Sequence, residues 1–212
     1  MLDFRLCVIT EEWQGRSHVD VARAALAAGV GCIQLRDKSG DTRDILSTGE
    51  QIASLCRGAG ALFIVNDRPD IALALGADGV HLGGQDMPIA VARKLFDQAG
   101  RRMMIGASVA TAEESARAAT EGADYVGVGP IFATATKADA GPALGVEAIA
   151  LVKEASSLPL VAIGGINADN AARVLQAGAD AVAVISAVSR AEDMEKAAAE
   201  LLAAISAVPE EQ

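Results

Sequence analysis

Two carboxylates and a few cations stand in short, separated stretches where they could hold a metal and an anion together. Asp67 lies in Asn66-Asp67-Arg68, and Asp86 follows His81-Leu82-Gly83-Gly84-Gln85. Mg²⁺ typically takes one or two carboxylates and completes its shell with water and phosphate oxygens, so the pair suits Mg²⁺ bound jointly with a phosphorylated ligand. Each aspartate also stands close before a stretch of helical spacing, where capping the helix is the competing reading. Arg36, Lys38 and Lys137 supply positive charge, and Arg36 directly ends an apolar run rather than lying on a charged surface. Cations converging on one rim suit a polyanion such as pyrophosphate. Thr134 and Thr136 could present hydroxyls to a second ligand, and the small, polar stretch 133–141 reads as a mobile lid. His81, within an apolar run, is expected to be a hydrogen-bonded interior histidine. His18 and Trp13 are expected in loops. No Ser/His/Asp or Cys/His arrangement is evident.

The elements that must position these groups are legible as alternation. Apolar, β-branched runs at 5–9, 32–35, 62–65, 79–82, 104–107, 125–128, 160–163 and 181–185 alternate with Ala-rich segments of helical spacing such as 19–28, 112–121 and 168–177. Strands alternating with helices imply parallel, right-handed βαβ units. A doubly wound sheet would be expected to carry a Gly-rich turn after its first strand, whereas this chain reads Thr10-Glu11-Glu12-Trp13 there. Gly29-Val30-Gly31, Gly76-Ala77-Asp78, Gly122-Ala123-Asp124 and Gly178-Ala179-Asp180 recur before alternate strands, a fourfold echo that fits a closed barrel. The fold class is therefore α/β, a (β/α)₈ TIM barrel, expected as a single domain over 1–212 with a short frayed tail at 209–212.

Active sites of this fold lie at the C-terminal strand ends, and the loops after strands seven and eight usually form a phosphate pocket. The polar residues named above fall at those ends, as does Ser108 after the fifth run. Gly164-Gly165 and Ser186 occupy the two phosphate-pocket positions. Bare glycine amides and helix N-termini behind Asn167 and Ser186 would favour an anion there.

Composition narrows the partners. Hydrophobic residues make up 51% and aromatics 3% of 212 residues, which points to a core of Ala, Val, Ile and Leu. The net charge of −10 offers no basic stripe for nucleic acid. No apolar run reaches membrane-spanning length. Cys7, Cys32 and Cys56 show no metal-knuckle or redox spacing and are expected as reduced thiols, with a cytoplasmic location. The oligomeric state stays open, a homodimer included.

The motifs together resemble thiamine phosphate synthase, also called thiamine-phosphate pyrophosphorylase, from about residue 7 to 188. The segments are QLRDK at 34–38, NDR at 66–68, HLGGQD at 81–86, GAS at 106–108, GVGPIFATATK at 127–137, AIGGIN at 162–167 and VISAV at 184–188. The resemblance implies a Mg²⁺-dependent condensation of hydroxymethylpyrimidine pyrophosphate with thiazole phosphate. Gln34, Arg36, Lys38, Asn66, Ser108 and Lys137 would hold the pyrimidine substrate, with Leu35 and Asp37 in the same binding stretch. Asp67 and Asp86 would bind Mg²⁺. Thr134, Ala135, Thr136, Gly165, Ile185 and Ser186 would hold the thiazole phosphate. Arg36, Lys38, Lys137 and Ser108 carry the catalytic expectation, and the family reaction is dissociative. The pattern departs at Gly84, where the family usually has Gln, at Gln85, often acidic, and at Asp37, often Glu. The related thiazole tautomerase commonly carries His in place of Pro130, so the intact Gly129-Pro130 favours the synthase. A non-catalytic phosphate-binding barrel would be expected to have eroded Asp67, Asp86 or Lys137.

Overall fold

Eight short runs form strands β1 (Leu6–Ile9), β2 (Cys32–Leu35), β3 (Leu62–Asn66), β4 (Gly79–Leu82), β5 (Met104–Val109), β6 (Tyr125–Val128), β7 (Leu160–Ile163) and β8 (Ala181–Val184). In the computed structural model, which describes residues 2–136 and 141–209, they pair in parallel in chain order, and β8 returns to β1 to close the barrel. The helices between and after them are α1 (His18–Ala27), α2 (Thr42–Ala59), α3 (Pro69–Leu75), α4 (Ile89–Gln98), α5 (Ala112–Glu121), α6 (Glu147–Ala155), α7 (Ala171–Gln176), α8 (Ser186–Ser189) and α9 (Met194–Ser206). None among the described residues is long and apolar enough to cross a membrane.

Strand side chains alternate between two cores, as period-two geometry requires. Ile33, Leu35, Val80, Ile105 and Val126 join the layer beneath the helices. Cys7, Ile9, Cys32, Ile64, Tyr125, Val161 and Ala183 fill the barrel interior. Cys7 and Cys32 are register partners on neighbouring strands, with their sulfurs 3.5 Å apart as free thiols. Sequence spacing gave no hint of that meeting, because it is made across strands.

The fourfold glycine echo has a physical basis at the barrel's N-terminal end. Gly29, Gly76, Gly122 and Gly178 all have left-handed φ values, from 61° to 103°. Only glycine takes that conformation at little cost where a helix ends. The aspartate that follows three of them bridges sideways to the preceding odd-numbered strand. Asp78 accepts from Phe63 N–H at 2.8 Å, Asp124 from Ile105 N–H at 2.7 Å and Asp180 from Leu160 N–H at 2.6 Å. Asp124 also accepts from Arg93 Nη2 at 2.5 Å. Asp124→Ala is therefore expected to cost about 1–3 kcal/mol of stability by orphaning a strand amide. A urea titration reads this, and rate per folded molecule should be unaltered because the site described next lies at the opposite end.

Candidate active site

A cavity of about 320 Å³ opens at the C-terminal end of the barrel. Of the residues singled out from the sequence, Gln34, Arg36, Lys38, Asn66, Asp67, Asp86, Ser108, Thr134, Thr136, Gly165, Ile185 and Ser186 line it. Leu35, Asp37 and Ala135 do not. Leu35 is 1% exposed in the layer beneath the helices, because its strand neighbour Gln34 takes the inward position. Asp37 ties its own turn, accepting from Ser39 N–H at 3.0 Å and Gly40 N–H at 2.7 Å. Burial acts to raise its pKa, but those amide bonds outweigh it and hold the carboxyl below its ordinary value. Lys137, and 137–140 of the expected lid, lie outside the described residues, as do 210–212 of the expected tail.

Neither metal-candidate aspartate caps a helix. The N-cap of α3 is Arg68, without a side-chain cap bond, and that of α4 is Pro88, likewise without one. Asp67 instead follows β3 directly, in the left-handed region with φ 65°. Its N–H donates to His81 C=O at 2.8 Å, which ties the ends of β3 and β4 together. A non-glycine residue held there is disfavoured, and such residues cluster at functional sites. Asp86 closes the turn after β4 by accepting from Gly83 N–H at 2.7 Å. Its pKa is raised, first by burial and then by the neighbouring Asp67 carboxyl, against lowering by the Gly83 amide and Lys38. Two carboxylates that repel one another, with Lys38 paired to Asp67, are a donor set that a hard divalent cation would relieve. Among the described residues no group of three or more metal-ligating side chains gathers. A pair fits Mg²⁺, whose remaining shell comes from water and phosphate.

Across the cavity, Gly164 and Gly165 adopt φ values of 100° and 65°. A Cβ at Gly164 would lie 2.5 Å from Pro130 Cα, and one at Gly165 2.7 Å from Phe132 Cβ. The segments after β6 and β7 can therefore close on each other, through Ile131 N–H to Ile163 C=O at 2.8 Å and Phe132 N–H to Gly164 C=O at 3.0 Å. That clasp carries Thr134 and Thr136 to the cavity, where Thr136 Oγ1 donates to Ser186 Oγ at 3.1 Å. Ser186 opens the short α8, whose first amides have no partner within the helix. The helix expected directly behind Asn167 begins only at Ala171. Asn167 accepts from Asp169 N–H, and Asn170 accepts from Asn167 N–H, so asparagine turn chemistry displaces the helix start.

His81 is an interior histidine as expected, bonded to Tyr125 and Ser108. His18 corrects the loop expectation: it begins α1, buried at 4% exposure, with Nδ1 2.8 Å from Thr10 Oγ1. Trp13 remains in the loop after β1, under the Arg190 guanidinium at 3.9 Å. Gly84 has open space where a side chain would go and no left-handed φ. Gly84→Gln is therefore expected to fold without strain and to gain about 0.4–1 kcal/mol by restricting the unfolded chain, checked by thermal melting.

The family described as thiamine monophosphate synthase has a sequence profile that matches residues 6–188. A relative named thiamine-phosphate synthase from Methanoculleus marisnigri is 50% identical over 99% of both chains. Another of that name from Moorella thermoacetica is 48% identical over 94% of this chain and 93% of its own. The solved thiamine phosphate pyrophosphorylase of Pyrococcus furiosus superposes with a TM-score of 0.89 at 44% identity, covering 96% of each chain.

Proposed function

The chain belongs to the thiamine monophosphate synthase family, and on that premise we propose that its cavity condenses hydroxymethylpyrimidine pyrophosphate with thiazole phosphate in a Mg²⁺-dependent, dissociative substitution. The chain is a transferase, a thiamine-phosphate synthase. One observation carries the finer reading: a single cavity is lined at one side by Asp67, Asp86, Arg36 and Lys38, and at the other by Gly165, Thr134, Thr136 and Ser186. Two anionic ends can be held apart there with their reacting centres between them.

Asp67 and Asp86 would hold Mg²⁺, which supplies charge neutralisation to the departing pyrophosphate. Arg36, Lys38 and Lys137 take up the same developing charge. Gln34, Asn66 and Ser108 hold the pyrimidine. Gln34 Nε2 donates to Asn66 Oδ1 at 2.7 Å, which leaves the Gln34 carbonyl oxygen to accept from an amino group. The C–O bond to pyrophosphate breaks with its electron pair leaving on oxygen. The thiazole nitrogen then donates its lone pair to the pyrimidine methylene carbon, forming the C–N bond. Thr134, Thr136, Gly165, Ile185 and Ser186 set the thiazole phosphate for that attack. An enzymic nucleophile is not required. The apolar floor of Ile9, Val161, Ile163 and Ala183 keeps water from the carbon centre. The free thiols suit a reducing cytoplasm, where we place the enzyme.

The test is direct synthesis. Purified protein with both substrates and Mg²⁺ is expected to yield thiamine phosphate, read as fluorescent thiochrome after oxidation. A chelator should abolish the product and excess Mg²⁺ restore it. Folded protein that forms none would overturn the synthase reading, and product formed undiminished in chelator would remove the metal from it.

A further inference from the structure

Two residues of the barrel interior that the condensation itself does not call on, Tyr125 and His81, form a directed line that ends on Ser108. His81 Nδ1 lies 3.1 Å from Tyr125 Oη, and His81 Nε2 lies 3.0 Å from Ser108 Oγ. The two rings pack at 5.6 Å between centroids, tilted by 39°. Space for them is kept by glycine on the intervening positions. Gly106 is the register partner of both His81 and Tyr125, and Gly127 is the partner of Ser108. A Cβ on Gly106 would fall 2.1 Å from Tyr125 Cζ and 2.6 Å from His81 Nδ1, and one on Gly127 would fall 2.8 Å from His81 Cε1. A side chain at Gly106 would displace both rings, and one at Gly127 would displace the His81 ring.

The hydrogen-bond polarity follows from burial. Tyr125 is 3% exposed, and burial pushes its phenol pKa well above the ordinary value, so the proton stays on oxygen. A buried O–H left without an acceptor costs free energy, and the acceptor in reach is His81 Nδ1. A neutral imidazole that accepts at Nδ1 carries its proton on Nε2, where it is given to Ser108 Oγ. With its oxygen already accepting, Ser108 turns its own O–H toward the cavity that it lines.

We propose that Tyr125 and His81 are positioning residues that hold Ser108 as a hydrogen-bond donor toward a ring nitrogen of the pyrimidine substrate. The inference rests on the substrate assignment above, but not on turnover. Its counterpart is the Gln34 carbonyl oxygen, so the wall offers one donor and one acceptor, matching the adjacent ring nitrogen and amino group of an aminopyrimidine. The thiazole phosphate side of the cavity gains nothing from this line, and selectivity for one substrate is the consequence that can be measured.

The experiment is calorimetric binding of hydroxymethylpyrimidine pyrophosphate with Mg²⁺ and, separately, of thiazole phosphate, to the full chain and to variants confirmed as folded by circular dichroism. Tyr125→Phe is expected to weaken pyrimidine binding about 3- to 10-fold, the range for one neutral hydrogen bond, with thiazole phosphate binding within about 2-fold. His81→Gln, which keeps a donor near the Nε2 position, should retain more affinity than His81→Leu. In a Ser108→Ala background Tyr125→Phe should have no further effect, because the donor it orients is gone. Equal losses for both ligands, or a Tyr125→Phe loss undiminished in the Ser108→Ala background, would reduce the pair to barrel packing and overturn the proposal. A parent that binds the pyrimidine yet makes no product would sink the synthase reading alone. A parent that binds no pyrimidine would overturn both.

Discussion

Asp67→Asn is expected to raise the Mg²⁺ concentration for half-maximal rate by at least about 10-fold, and toward 100-fold if no other ligand compensates. The substitution isolates charge from shape. Asparagine is nearly isosteric and, like aspartate, tolerates the left-handed backbone that Asp67 adopts at φ 65°. The N–H bond to His81 C=O survives, because it belongs to the backbone. What disappears is one of two carboxylates in a site where the protein supplies no third among the described residues. Stability should move little. The ion pair with Lys38 is lost, but that lysine side chain is 53% exposed, and exposed pairs contribute under about 1 kcal/mol. The repulsion of Asp86 is removed in the same step. The measurement is a Mg²⁺ titration of initial rate with both substrates saturating. If the variant's curve overlaid the parent's, Asp67 would be a residue of the strand-end turn and nothing more.

Much of the architecture that places Asp67 is written in the chain, and the exceptions have physical reasons. The alternation of apolar runs and Ala-rich segments marks all eight strands, with cores that coincide with the observed ones to within a residue or two. Strand β5 runs on to Val109, so Ser108 lies inside a strand and not beyond it, which is why its hydroxyl can face His81 on the neighbouring strand β4. Polar residues at the end of a run look like loop in a sequence, yet inside a barrel they are strand positions that happen to face a cavity. The glycine echo marks the barrel, but the work of Asp78, Asp124 and Asp180 is invisible until neighbouring strands stand side by side. The same holds for His81, Ser108 and Tyr125, separated by 27 and 44 positions in sequence. A signal did exist: period-two alternation puts all three on inward-facing positions, and Gly106 and Gly127 fall on the same face beside them. Motif residues carry their chemistry in their type, whereas positioning residues carry it only in the register of the sheet.

Arg36→Ala is expected to lower kcat by about 10²–10³-fold, the range for removing a group aimed at charge that develops in the transition state. Arg36 follows β2 directly, its N–H 3.4 Å from Thr10 Oγ1 and its side chain on the cavity wall. The guanidinium is therefore carried by a fixed backbone at the mouth of the barrel, where little rearrangement is needed to meet an anion. Its fork can engage two phosphate oxygens at once, which a lysine cannot, so Arg36→Lys should recover only part of the loss. The partition between constants separates two roles. If Arg36 meets the bound pyrophosphate and the departing one equally, KM rises while kcat holds. If it is matched to the extra charge on the leaving oxygens, kcat and kcat/KM fall together. A dissociative reaction demands the second pattern, because its difficulty lies in separating pyrophosphate from a carbon centre that no protein group attacks. Lys38 is half committed to Asp67 by their ion pair. Arg36 is the cation best placed to bear that test, and a variant that raised KM alone would move the burden of leaving-group stabilisation to Mg²⁺ and Lys137.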